Sequence, residues 1–88
     1  MVRRSILEIY VDVLKAIDNG TNIPTKIMYE TNLSWAIACI VFDSLIKGDF
    51  ISADKKKRSK LYYITEKGKN ALSYHLKSLE GLTVVSEN

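Results

Sequence analysis

Five of the six residues from Lys55 to Lys60 are basic: Lys55, Lys56, Lys57, Arg58 and Lys60. Amines and a guanidinium crowded into one short segment do one kind of chemistry well. They neutralise phosphate oxygens and release the counterions held around them. The plainer alternative is a solvated turn whose charges keep the chain soluble and shield a strand edge. So dense a run of one sign exceeds what solubility needs. The 88-residue chain carries a net charge of only +3, and residues 1–47 balance five basic against five acidic groups. From Lys55 to Lys77 there are eight basic residues and one acid, Glu66, so the positive charge is local.

Covalent and metal chemistry find little to work with. Cys39 and His75 are the single cysteine and histidine, so neither an internal disulfide nor a Cys/His metal site can form. Cys39 is expected to be a small packing residue in an apolar helix, with a subunit-bridging disulfide as the alternative. His75 reads as a partly exposed polar position. Glu8 and Asp12 are one helical turn apart and have no nucleophile or ligand beside them, which makes them a solvated face. No nucleophile, base and orienting group can be assembled. The chain is therefore expected not to be an enzyme and to need no cofactor, metal or small-molecule substrate.

The elements that must carry these residues follow from periodicity and punctuation. With 47% hydrophobic and 26% charged residues the composition is that of one globular domain, with disorder expected only at Met1 to Arg4 and Val84 to Asn88. No apolar run approaches the roughly 18 residues of a membrane span, and the start lacks a signal-peptide pattern, so a cytoplasmic protein is expected. A first helix is predicted from about Ser5 to Asn19, where Ile6, Ile9, Tyr10, Val13 and Ile17 recur at helical spacing. A second stripe, Leu7, Val11 and Leu14, widens its apolar arc. Either the helix lies deep in the domain or it also faces a second subunit.

Pro24 suits the start of a short second helix ending near Thr31. Asn32-Leu33-Ser34 reads as a turn whose serine caps a third helix running to about Lys47. Phe50 to Ala53 and Lys60 to Ile64 are strand-like and flank a tip from Asp54 to Ser59. Thr65 then caps a last helix from Glu66 to about Glu80, with Leu72, Leu76 and Leu79 as its buried stripe and Gly81 closing it after about four turns. Gly68, in its first turn, is not a helix former's choice and suggests a close approach by the hairpin. The whole is a mainly α (α+β) winged helix-turn-helix: three helices, a two-stranded wing hairpin and a C-terminal helix. It is expected over residues 5–80, with residues 81–88 as a short tail.

The runs Thr25-Lys26-Ile27-Met28-Tyr29, Asn32-Leu33-Ser34-Trp35-Ala36 and Tyr63-Ile64-Thr65-Glu66-Lys67-Gly68 resemble those of the small archaeal winged-helix proteins known as chromatin-associated DNA binders. The resemblance spans about Leu7 to Leu72. It implies double-stranded DNA as partner, a role as transcriptional regulator or chromatin-architectural protein, association with the nucleoid, and a homodimer. In that family the dimer forms through an extended last helix. Residues that would face a second copy here are Leu7, Val11, Leu79 and Leu82.

In a helix-turn-helix the third helix would enter the major groove. From Trp35 to Ile46 ten of twelve residues are apolar, and none is Arg, Lys, Asn or Gln, the types that pair bidentately with base edges. Ser34 and Trp35 could add hydroxyl and apolar contacts, while Lys26, Tyr29 and Asn32 could steady a phosphate. Ala38, Val41, Phe42 and Leu45 are expected in the core. Ile37 and Ile40, on the other side, would mark a protein interface. Two readings follow: a DNA binder that grips phosphates through the basic hairpin, or a protein interaction module built on the third helix.

Overall fold

The computed structural model describes residues 4–56 and 59–87, the side chains of 56, 59 and 78–87 excepted. Lys57 and Arg58 therefore lie outside the described residues, as do the side chains of Lys56, Leu79 and Leu82. The elements follow in the order α1 (Ile6–Asp18), α2 (Pro24–Thr31), α3 (Trp35–Lys47), β1 (Ile51–Lys56), β2 (Ser59–Ile64) and α4 (Glu66–Glu87). The fold is a winged helix-turn-helix. Among the described residues no helix is long and apolar enough to cross a membrane.

Three of the four helices start at a side-chain cap. At α1, the Glu8 N–H donates to Ser5 Oγ (3.1 Å) and the Ser5 N–H donates to Glu8 Oε1 (2.9 Å), a reciprocal capping box. The Ser5 N–H first, and then the Ser5 hydroxyl, favour the Glu8 carboxylate and hold its carboxyl below the ordinary value of 4.5. Pro24 opens α2. Asn32 ends α2 in the left-handed region at φ 59°, a conformation its short polar side chain tolerates. Ser34 caps α3 by accepting from the Ile37 N–H at 3.3 Å. Thr65 caps α4, accepting from the Gly68 N–H at 3.0 Å while donating to the Asp49 carbonyl at 2.6 Å.

The core gathers one face of each element: Val13 and Ile17 of α1, Ile27 of α2, Ala38, Val41, Phe42 and Leu45 of α3, Ile51 and Tyr62 of the hairpin, and Leu72 of α4. The Phe42 and Tyr62 rings meet with centroids 4.7 Å apart and planes tilted by 42°. Val11 and Leu14 are buried as well. The wide apolar arc of α1 is thus largely consumed inside the chain. Val11 is core and not free surface, whereas Ile6 and Leu7 at the helix start are exposed.

Four expectations need correction. The strands run further than Ala53 and start before Lys60: pairing continues from Ile51↔Ile64 to Lys55↔Lys60 and Lys56↔Ser59. Ladder bonds join backbone groups, so pairing with the partner strand carries these lysines into the sheet against their own weak strand preference. Helix α4 passes through Gly81 to Glu87, because glycine in a helix costs only about 1 kcal/mol relative to alanine and need not end it. Leu72 of the expected stripe is in the core, but Leu76 is exposed. Cys39 is exposed: about 100° around α3 from Ala38, it lies off the face that turns Ala38, Val41 and Leu45 into the core.

Candidate nucleic-acid interface

Two backbone arrangements set the hairpin beside α3. The Tyr62 N–H donates to the Asn22 carbonyl at 2.9 Å, and the Asn22 side-chain amide donates back to the Tyr62 carbonyl. The segment before α2 therefore borders β2 like the stub of a third strand. At the other end, Gly48, Asp49 and Phe50 are stapled to the start of α4. Lys67 Nζ donates to the Gly48 carbonyl at 2.8 Å and stands 4.7 Å from the centre of the Phe50 ring. The Thr65 N–H donates to the Phe50 carbonyl at 3.0 Å. A Cβ on Gly68 would overlap that same carbonyl and approach Ile64 Cγ1 to 2.8 Å, so the glycine is what lets β1 and α4 meet.

Pairing and pleat then decide where the charges point. Directly paired residues share a face, and faces alternate along a strand. Ile51, Ala53 and Lys55 accordingly lie on one face with Ile64, Tyr62 and Lys60. Ile51 and Tyr62 are buried against the body, so Lys55 and Lys60 are directly opposed on the outer end of the face that looks toward the helices. Both are exposed. Lys60 lines a groove of about 390 Å³ together with Pro24, Trp35, Cys39, Asp43 and Ile46, floored by Phe42 and Tyr62. Burial first, and then the nearby Cys39 and Asp43, push the Tyr62 phenol above its ordinary value of 10.0.

Among the residues expected to contact a ligand, the groove brings Trp35 and Lys60 together. Lys26 and Tyr29 are exposed on α2, and Asn32 and Ser34 form the turn between α2 and α3. On the outer side of α3 the apolar side chains are open to solvent: Ile40 is 59% exposed, Trp35 49% and Ile37 41%, beside Tyr29 at 77%. Asp43 shares that side and is paired with Lys47 at 3.1 Å.

Sequence reasoning missed Arg4, which it assigned to a disordered end. Its guanidinium donates to Asp12 Oδ2 (3.0 Å) and to the carbonyls of Thr31 (2.7 Å) and Asn32 (3.3 Å). Arg4 thus clamps α1 to the end of α2 and the turn that launches α3. The carbonyls lie 27 and 28 residues along the chain, and no local pattern signals such a contact. Asp12 is accordingly half of an ion pair, where a merely solvated position was expected. Among the described residues no group of three or more His, Cys, Asp or Glu side chains could hold a metal ion.

Comparison with known proteins agrees with this architecture. A family model described as winged helix-turn-helix matches residues 3–82. An uncharacterized protein of Methanocaldococcus jannaschii is 37% identical over 71 residues, covering 81% of this chain and 69% of the relative. The crystal structure of Sso10a-2, a DNA-binding protein from Sulfolobus solfataricus, superposes with a TM-score of 0.71 at 27% identity, over 96% of this chain and 90% of that one. The transcriptional regulator SlyA shares the fold with a TM-score of 0.71 at 23% identity, over 89% of this chain but only 57% of its own length. Capped α2 and α3 joined by a tight turn, a two-stranded hairpin beside them, and a match over residues 3–82 lead to one assignment: the chain belongs to the winged helix-turn-helix family.

Proposed function

We propose that this protein binds double-stranded DNA, as a transcriptional regulator or a chromatin-architectural protein in the cytoplasm, and that its main grip is on phosphates through the basic wing. The observation that carries the reading is the opposition of Lys55 and Lys60 on the hairpin face that adjoins α3. Amines placed there reach the backbone beside whatever groove α3 occupies, and the remaining charges of the run, Lys56, Lys57 and Arg58, stand between them in the sequence. Lys26 and Tyr29 on α2, with Asn32 and Ser34 in the turn, supply further contacts to the same strand. The DNA-binding description of Sso10a-2 supports the reading by kinship. Association as a homodimer also belongs to it, with the exposed Leu7 and the far part of α4, where Leu79 and Leu82 lie, as the surfaces offered.

The test is a salt titration of duplex binding by the wild type and by a variant with Lys55, Lys56, Lys57, Arg58 and Lys60 made neutral. The slope of log K against log salt should flatten by about 0.9 for each phosphate no longer neutralised. An unchanged slope and affinity would remove the wing from the interface.

A second reading rests on the exposure of Trp35, Ile37 and Ile40: the outer side of α3 meets another protein or a second copy. Ile37→Lys with Ile40→Lys separates the two. Loss of a protein complex favours the second reading, and retained or tighter DNA binding without such a loss favours the first.

A further inference from the structure

Resting on the DNA reading above, we infer that α3 selects DNA by the C5-methyl groups of pyrimidines in the major groove. Duplexes bearing those methyls are its preferred partner. The first two turns of α3 present Ala36, Ile37, Cys39 and Ile40 to solvent, flanked by Trp35. Apart from the Trp35 indole N–H and the weak thiol of Cys39, these side chains carry no hydrogen-bond donor or acceptor for a base edge, and the nearest hydroxyl, Ser34 Oγ, serves as the helix cap by accepting from the Ile37 N–H. Among the groups exposed in the major groove, such a surface has one positive match, the pyrimidine methyl. Amino, carbonyl and ring-nitrogen edges gain nothing from it and keep their water.

Charge states what covers this face. Lys60 stands across the groove from Trp35 and Cys39, with Lys55 directly opposite it on the hairpin, and Lys26 is exposed on α2. An apolar strip bordered by amines is complementary to a methyl-bearing groove bordered by phosphates. The acid on this side of α3, Asp43, lies about one turn beyond Ile40, and its charge is answered by Lys47 at 3.1 Å. The N-terminal half of the helix is therefore the half that can approach a polyanion closely. A C5-methyl reaches the groove from thymine or from 5-methylcytosine, and the side chains on this strip distinguish neither source.

The experiment measures binding by fluorescence anisotropy across a salt series. The duplexes are a mixed sequence containing thymine, the same sequence with every thymine replaced by deoxyuridine, and a G·C-rich duplex with cytosine or 5-methylcytosine. Uridine removes only methyl groups and leaves every phosphate in place. Affinity should drop about four-fold for each methyl that α3 covers, with the salt slope unchanged. The 5-methylcytosine duplex should bind more tightly than its unmethylated counterpart, which separates methyl contact from the groove shape of A·T tracts. In Ile40→Ser and Ile37→Ser variants, both exposed positions, the thymine preference should shrink toward equal affinity. Equal binding of thymine and uridine duplexes by the wild type overturns the inference while leaving the DNA reading intact. Failure to bind any duplex overturns the DNA reading itself, and the inference with it. A thymine preference that survives both serine variants, or a change in oligomeric mass when Ile37 and Ile40 are replaced, assigns the strip to something other than methyl recognition and overturns it as well.

Discussion

Gly68→Ala sets two well-characterised effects against each other, and the structure decides the sign. Gly68 is the third residue of α4, and glycine in a helix costs about 1 kcal/mol relative to alanine, so with space available the substitution would stabilise the protein by roughly that amount. There is no space. The new methyl would overlap the Phe50 carbonyl oxygen, come within 3.1 Å of its carbon, and press on Ile64 Cγ1 at 2.8 Å. The carbonyl cannot easily withdraw, because it accepts from the Thr65 N–H at 3.0 Å and is followed directly by the buried Ile51. Overpacking against fixed backbone costs about 1–3 kcal/mol, and the upper part of that range applies where the obstacle is main chain. Subtracting the helix gain leaves a net destabilisation of about 2 kcal/mol. For a domain of this size that lowers the melting temperature by roughly 8–16 °C. Urea unfolding followed by circular dichroism measures it directly. Stability equal to or above that of the wild type would refute the claim that Gly68 is required by the approach of β1 to α4.

Arg4→Met removes charge-assisted hydrogen bonds to the Thr31 and Asn32 carbonyls together with the Asp12 ion pair, and should cost about 1 kcal/mol in denaturant unfolding after allowance for the partial exposure of the pair; an unchanged midpoint would mean that the clamp contributes nothing. Burial raises the Tyr62 phenol above its ordinary 10.0, so its contribution is complete below pH 10 and is lost as pH rises through the folded value. Tyr62→Phe lacks that term: its stability relative to wild type should improve progressively above about pH 10, and a constant difference from pH 8 to 11 would contradict the assignment.

Much of the architecture is legible in particular residues because the signals are local. Ser5 with Glu8, Ser34 and Thr65 mark helix starts through bonds that close within three residues, and Pro24 marks the start of α2 by its ring and missing N–H, without a cap bond. Helix ends are less legible. Gly20, at φ 104°, follows the end of α1, whereas Gly81 sits inside α4, and the letter alone does not distinguish a glycine that must turn from one that is tolerated. The strand limits were misplaced for a related reason. Lysine and aspartate favour turns by type, but pairing with a partner strand carries them into the ladder.

What the sequence determines by itself is the inventory: the order of the elements, the local concentration of positive charge between Lys55 and Lys60, and the absence of Arg, Lys, Asn and Gln from Trp35 to Ile46. These are properties of types and short spacings, written within one or two turns of chain. The tertiary structure decides which of those types share a surface. Strand register turns Lys55 and Lys60 toward α3, the rotation of α3 in the core buries Ala38 and leaves Cys39 and Ile40 outside, and Arg4 ties the launching turn to α1 from 27 residues away. Such relations depend on packing partners distant in sequence, where a shift of one residue in register would send every side chain of the hairpin to its opposite face.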